Sequence, residues 1–181
     1  MRDWIPTRDS PRGRLVLAAL EAFGARGYEG VAVAELARAA ETTTGPLYHH
    51  FGSKLGLYDA IRTDVERRVI DRMEGALAAA RGPEAVSAAL VVGFDYAERA
   101  GFLRLLGESH PERAGDPVAA LLDDRLDAAP LGRMLAAAWR AALAACADGA
   151  EPAAARDALR ALTDRPVPKR ENPREGGDTV T

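Results

Sequence analysis

Three short helical segments separated by tight breaks, followed by one long segment, constrain the fold of this 181-residue chain more than any other feature. Apolar residues recur at helical spacing over about 11–23, 33–39 and 44–50, and again over about 54–80. Gly24 and Gly27 are expected to end the first of these helices, and Tyr28 to begin the connection to the second. Because helices this short bury an apolar face only against one another, the pattern predicts a three-helix unit joined to a long helix.

Residues that favour helix caps support these boundaries. Ser10 precedes Pro11, which combines a good N-cap with a proline at the first helical position. Thr42 or Thr43 can cap the third helix, and Ser53 can cap the fourth. The starts of the helices are therefore encoded locally.

The rest of the chain continues as helices after the break at Gly82-Pro83. We predict helices over about 84–99, 101–108, 118–128, 131–147 and 152–163. No strand alternation of any length is seen, so the predicted fold class is all-α. The predicted divisions are an N-terminal domain at 1–56 with a flexible arm at 1–9, a second helical domain at 57–164, and a disordered tail at 165–181.

The net charge and the single cysteine limit the classes of protein to which the chain can belong. The formal net charge is −3, with 12 basic against 11 acidic residues in 1–82 and 12 against 16 in 83–181. This asymmetry agrees only weakly with a nucleic-acid-binding N-terminal part. Cys146 is the single cysteine, which excludes an intrachain disulfide and a zinc site built from cysteines. Without a signal-like start or an apolar run of membrane-spanning length, we expect a cytoplasmic protein.

The third short helix is predicted to present polar side chains to the outside while Leu47 and Phe51 pack inward. Hydroxyl, phenol and imidazole groups can hydrogen-bond phosphates and base edges, and Lys54 adds a cation at the start of the next helix. Two short helices with a polar second helix are typical of a helix-turn-helix. The candidate DNA-binding residues are Thr43, Thr44, Pro46, Tyr48, His49, His50 and Lys54.

The run from Gly45 to Lys54, with its Leu-Tyr-x-His-Phe-x-x-Lys pattern, resembles the DNA-binding domain of the TetR family of bacterial transcriptional repressors over about residues 10–62. The resemblance implies a recognition helix at 43–49, with Tyr48 and Lys54 at phosphate-contacting positions. It also implies an all-helical homodimer that binds operator DNA and releases it when a small-molecule ligand binds the divergent C-terminal domain.

This chain departs from the family pattern at two places. Glu41 stands at a turn where glycine is usual, which requires either some backbone strain or a turn of different shape. The second helix follows residues 30–33, which carry no capping hydroxyl. The arginines of the N-terminal segment, Arg2, Arg8, Arg12 and Arg14, are candidates to compensate in binding DNA.

Large apolar residues are scarce in the C-terminal part, and each one alone is more typical of a core than of a ligand site. As a set they are the candidates to line a pocket, because small-molecule sites are mostly apolar. These candidate ligand-binding residues are Phe94, Tyr96, Phe102, Met134 and Trp139. Arg99, Arg104 and Arg140 are candidates to add polarity, although a solvated face is the ordinary explanation for each.

The last two predicted helices carry broad alanine-rich apolar stripes. Such stripes pair across a twofold axis in a dimer or close the core of the monomer, and the residues alone favour neither. The candidate dimerisation residues are Leu135, Leu143, Leu159 and Leu162.

These features together favour a ligand-responsive transcription repressor. The alternative is a DNA-binding architectural protein without a ligand. An enzyme is not favoured, because the sequence has no nucleophile elbow, phosphate-binding loop, zinc-protease motif or dinucleotide fingerprint. We expect no cofactor and no metal.

Overall fold

The computed structural model describes residues 9–81, 83–110, 112, 114–126 and 130–163. Within these residues the chain forms nine helices and no strand, which confirms the all-α prediction. The helices are α1 (Pro11–Arg26), α2 (Val33–Ala39), α3 (Gly45–Phe51), α4 (Lys54–Ala79), α5 (Pro83–Arg99), α6 (Leu103–Gly107), α7 (Pro117–Leu126), α8 (Leu131–Ala147) and α9 (Pro152–Thr163). The predicted tail at 165–181 and residues 1–8 of the predicted arm lie outside the described residues.

Two of the predicted caps are present and one differs. The Ser10 hydroxyl accepts the Gly13 N–H at 3.0 Å, and the Ser53 hydroxyl accepts the Gly56 N–H at 2.9 Å. The N-cap of α3 is Thr44 rather than Thr42 or Thr43, and no side-chain cap hydrogen bond forms there. Since α3 begins at Gly45-Pro46, the proline occupies the first turn, where its missing N–H costs least.

Helix α1 ends at Arg26, so of the two glycines predicted to end it, Gly24 lies inside the helix and Gly27 directly follows its last residue. Gly27 is the C-cap, with φ 71°. A Cβ atom at Gly24 would lie 2.7 Å from the carbonyl oxygen of Gly101, at the end of α5. Gly24 therefore lets two backbones approach closely, rather than breaking the helix.

Helices α1, α2 and α3 pack together against the start of α4 and form the N-terminal head. Its centre contains Leu15, Phe23, Leu36 and Leu47, each at most 1% exposed. Phe23 meets Tyr58 of α4 edge to face, with ring centroids 5.1 Å apart. Aromatic packing of this kind adds to the apolar burial and attaches the head to α4.

Helices α5–α9 pack around the remainder of α4 and form the C-terminal body. α4 lies along α5, α8 packs on α6 and α7, and α9 covers α5 and α8. The indole N–H of Trp139, in the middle of the body, donates to the Leu90 carbonyl at 3.1 Å. The described part of the chain contains no helix that is both long and apolar enough to cross a bilayer.

Candidate nucleic-acid interface

The exposed face of α3 carries the predicted DNA-binding side chains. Leu47 is fully buried and fixes the helix on the head, whereas the next residue, Tyr48, points away from that contact and is 53% exposed. Four other candidates are exposed and one is half-buried, namely Thr43, Thr44, His49 and His50 in the first group and Pro46 in the second. A short helix with a buried anchor and a polar outer face is able to enter a major groove.

Glu41, in the turn between α2 and α3, has φ 51°. This left-handed conformation costs a non-glycine residue about 1–2 kcal/mol. Of the two possibilities left open by the sequence, the structure therefore has the glycine-type turn with a glutamate in it. The carboxylate is exposed beside α3, where it would repel phosphates.

Lys54 is half-buried beside α3, and its ammonium group has partners within the head. The Nζ atom donates to the Val31 carbonyl at 3.0 Å and lies 4.1 Å from the centroid of the Tyr28 ring. Both contacts hold the segment that leads into α2. Because an ammonium group has three N–H donors, these contacts leave capacity for a phosphate oxygen.

Ala32, the N-cap of α2, has no side-chain acceptor for the N–H groups of the first turn, so only the half of a capping box that Glu35 supplies is present. The Glu35 carboxylate accepts the Ala32 N–H at 3.3 Å and pairs with Arg26 at 3.0 Å. The Ala32 amide and the Arg26 guanidinium lower the pKa of Glu35. At the other end of α2, Arg14 Nε donates to the Ala40 carbonyl at 2.9 Å. The acidic residue three positions after the N-cap is the sequence signal for this half of a capping box.

The structure separates the five candidate ligand-binding residues into different environments. Phe94 and Trp139 are fully buried, and Phe102 is 8% exposed. Tyr96 contacts Phe102 with ring centroids 6.0 Å apart, and Arg72 lies over the Tyr96 ring. Met134 is 63% exposed on α8. Only Tyr96 and Phe102 have a described ring contact with each other.

A charged network that the sequence did not predict lies inside the body. Arg62 and Glu66 are 1% and 3% exposed, and Arg62 Nε donates to Glu66 Oε1 at 3.1 Å. Arg140 Nη2 also reaches Glu66 Oε1, at 3.2 Å, and Asp116 Oδ1, at 2.7 Å. Burial alone would raise the pKa of Asp116, but Arg140 outweighs it and holds that pKa below its usual range. Two carboxylates and two guanidinium groups thus balance in charge.

A cavity of about 170 Å³ lies against this network. Its wall includes the segment between α6 and α7, where His110 Nε2 is paired with the Asp59 carboxylate. The lining residues are Arg62, Ser109, His110, Gly115, Asp116 and Arg140. Of the three arginines named as candidate sources of polarity, Arg140 lines this cavity, and none of the five candidate ligand-binding residues is among its described lining residues. An isolated i,i+4 Arg–Glu pair normally indicates a solvated helix face, so the sequence held no signal for the burial of Arg62 and Glu66.

The candidate dimerisation leucines also divide into two groups. Leu135, Leu143 and Leu159 are at most 6% exposed and belong to the core of the single chain, whereas Leu162 is 52% exposed. The outward face of α8 carries Met134 with exposed alanines. These alanines are Ala137, Ala141 and Ala145.

The comparisons with known proteins find regulatory proteins. Residues 15–61 match the family model of bacterial regulatory proteins, tetR family. The HTH-type transcriptional activator FasR of Mycolicibacterium smegmatis is 37% identical over 95 residues, which is 50% of this chain and 42% of that protein. The match therefore spans less than half the length of this curated relative.

Two solved structures share the fold over most of both chains. The fatty acid degradation regulator FadR of Bacillus halodurans superposes with a TM-score of 0.68 at 14% identity, over 87% of this chain and 96% of that chain. A protein of Shewanella sp. PV-4 assigned to the tetR family of transcription regulators has a TM-score of 0.61 at 22% identity, over 85% and 96%. At these identities the likeness establishes the fold, including the arrangement of head and body.

Proposed function

We propose that the chain is a member of the tetR family of bacterial regulatory proteins, whose model residues 15–61 match, and that it is a transcription regulator that binds operator DNA as a homodimer under the control of a small molecule. The observation that carries the proposal is the outward face of α3. Tyr48 is 53% exposed next to the fully buried Leu47, among the polar side chains of a helix that packs on the head through Leu47. Such a face contributes nothing to the core of the chain.

Binding of DNA through this face would combine phosphate contacts with base contacts. The Tyr48 hydroxyl and the Lys54 ammonium are suited to phosphate oxygens, which position a protein without reading sequence. His49, Thr43 and Thr44 are suited to base edges in the major groove, which distinguish one sequence from another. The chain's net charge of −3 requires the contacts to come from a few well-placed groups rather than from a basic surface.

The test of DNA binding is a titration of DNA fragments from the intergenic region upstream of the gene, followed by fluorescence anisotropy. Tyr48→Phe removes one hydroxyl without disturbing the core, and we expect a loss of about 1 kcal/mol, roughly fivefold, per subunit. Tyr96→Phe, in the body, is the matched control and should bind like the wild type. A wild-type protein that prefers none of the fragments would contradict the proposal.

We infer a dimer built from the outward faces of α8 and α9. Met134 and Leu162 are large exposed apolar residues on these helices, with small alanines between them that permit close helix approach. Charged replacements at the buried Leu143 or Leu159 would damage the monomer itself, so they do not test this interface. The double variant Met134→Glu, Leu162→Glu should lower the mass by light scattering from twice 19.2 kDa to 19.2 kDa. Val92→Glu, on α5, is the control, and a wild type that is monomeric at micromolar concentration would refute the dimer.

Control by a small molecule is supported by the cavity beside Arg62 and Arg140. Ligand pockets for drug-sized molecules are about 300–1,000 Å³, so a cavity of about 170 Å³ suits a small polar molecule or one end of a larger one. Arg140 lies 5.7 Å from the centroid of the Trp139 ring, which makes Trp139 fluorescence a reporter of occupancy in a Trp4→Phe background. By linkage, operator DNA must change the affinity of a true effector by the same factor as the effector changes DNA affinity. A compound that binds with the same affinity in the presence and absence of operator DNA would not be the effector.

The direction of control is proposed as repression, and activation is the second candidate because FasR is named an activator. That match covers half of this chain and 42% of FasR, so it does not fix the direction of control for this chain. A reporter gene placed behind the bound fragment should be expressed more strongly when the regulator is deleted. A fall in expression on deletion would favour activation.

A further inference from the structure

The head and the body are joined by α4, and they also meet at a second place where α1 packs against the α5–α6 corner and α6. Gly24 allows this approach, because a Cβ there would lie 2.7 Å from the Gly101 carbonyl oxygen. One turn further along α1, a Cβ at Gly27 would lie 1.9 Å from Oε1 of Glu108. The absence of side chains at Gly24 and at the C-cap Gly27 thus lets the body pack closely against the end of α1.

Glu108 makes the polar contact at this second place. Its carboxylate Oε2 accepts the Tyr28 N–H at 3.1 Å, across 80 positions of sequence. Tyr28 follows the last turn of α1 and begins the connection to α2. The bond therefore holds the chain between the first and second helices of the head to the residue that follows α6. We call this contact of Glu108 with Gly27 and Tyr28 the Glu108 clasp.

The backbone of the same residue is tied to the buried network. Arg62 Nη2 donates to the Glu108 carbonyl oxygen at 2.7 Å, and Arg62 Nη1 donates to the Tyr58 hydroxyl at 2.8 Å. Arg62 also shares Glu66 with Arg140 of α8. An unbroken series of hydrogen bonds runs from α8 to the head, and it passes through Glu108.

The cavity described above adjoins this series. Arg62 and Arg140 line it, and its wall includes Ser109 and His110, the two residues directly after Glu108. Ser109, which lines the cavity, is bonded directly to Glu108. A molecule that occupies the cavity and displaces Ser109 is therefore expected to displace Glu108 as well. Since buried polar networks have discrete arrangements, a change at Arg62 is expected to alter the position of Glu108.

We propose that Glu108 is a positioning residue that sets the orientation of the DNA-binding head relative to the body. Its carboxylate accepts a hydrogen bond from the Tyr28 amide, while its carbonyl oxygen accepts one from Arg62. This inference rests on the proposed function for its consequence in DNA binding, but not for the contact itself. Loss of the clasp removes this polar contact and leaves the head joined to the body by α4 and by the packing of α1 on α6. The head then samples more orientations, and if the binding-competent orientation falls to a third of the molecules, operator affinity falls about threefold.

The test compares Glu108→Ala, which removes the acceptor, with Glu108→Gln, which retains an acceptor oxygen of the same reach. The first measurement is hydrogen exchange at the Tyr28 amide by NMR in the full chain. We expect faster exchange in Glu108→Ala than in the wild type and near-wild-type exchange in Glu108→Gln. The half-buried position of Glu108 makes folding of both variants the expected result, checked by circular dichroism.

The second measurement is the distance between spin labels on the two heads of the dimer, attached at His49→Cys in a Cys146→Ala background. Glu108→Ala should broaden the distance distribution, and Glu108→Gln should keep it narrow, whereas a merely structural role would lower stability without widening the distribution. Unchanged Tyr28 exchange together with an unchanged distribution in Glu108→Ala would overturn the proposal. If no distance between two labels is detected, the protein is not a dimer and that part of the proposed function is contradicted. Hydrogen exchange at the Tyr28 amide would still show whether the Glu108 clasp forms.

Discussion

Replacement of Glu41 by glycine should stabilise the protein, against the usual effect of introducing glycine. Glu41 has φ 51°, and the left-handed region costs a residue with a Cβ about 1–2 kcal/mol. Glycine removes that cost but loses about 0.5–1 kcal/mol through the greater freedom of the unfolded chain. The net expectation is a gain of roughly 0.5–1 kcal/mol in the free energy of unfolding, or about 1–4 °C in Tm for a chain of this size.

The assay is thermal and urea unfolding of the wild type and three variants. Glu41→Gln removes the charge but keeps the backbone strain, and it should stay within about 0.5 kcal/mol of the wild type. Glu21→Gly places glycine on the exposed face of α1 and should cost roughly 0.5–1 kcal/mol. If Glu41→Gly is no more stable than Glu41→Gln, the strain argument is refuted.

The same variants separate strain from charge in DNA binding. The Glu41 carboxylate lies in the turn that precedes α3, where it repels phosphates at short range. Glu41→Gln and Glu41→Gly should therefore raise DNA affinity to a similar extent, with a smaller difference from the wild type at high salt. A gain confined to the glycine variant would instead assign the effect to the shape of the turn.

Two further predictions concern the buried network. Glu66→Gln should lower the free energy of unfolding by about 3 kcal/mol, because Arg62 would remain buried without its counter-charge. Urea unfolding measures this loss, with the exposed Glu74→Gln as the control. A loss below about 1 kcal/mol would contradict the prediction. For Asp116, the folded pKa lies below the unfolded value near 3.9, so its contribution is complete above that value and is lost as pH falls through the lower folded pKa. The stability advantage of the wild type over Asp116→Asn should thus be constant from about pH 7 to 5 and shrink below about pH 4; an advantage independent of pH would argue against the ion pair with Arg140.

Much of the fold follows from local signals in the sequence. Helices α2, α8 and α9 have the predicted bounds, because apolar spacing and breaking residues act within a few positions of the helix ends. The caps at Ser10 and Ser53 are local for the same reason. The polar outer face of α3 was also predictable, since Leu47 and Phe51 fix which side of so short a helix turns inward.

Tertiary structure decided which of several locally equivalent faces is buried. Arg62 and Glu66 form an i,i+4 pair whose sequence pattern is the same in water and in a core, and only the approach of Arg140 and Glu108 from distant helices encloses it. Gly24 lies inside a helix, and only the tertiary structure shows that Gly101, 77 positions later, approaches the space that a side chain there would fill. Likewise, the apolar stripe on α8 does not by itself show whether it packs against helices of the same chain or of a second copy. The leucines face the core because the shape of the whole body, not the period of the helix, determines where each side chain loses contact with water.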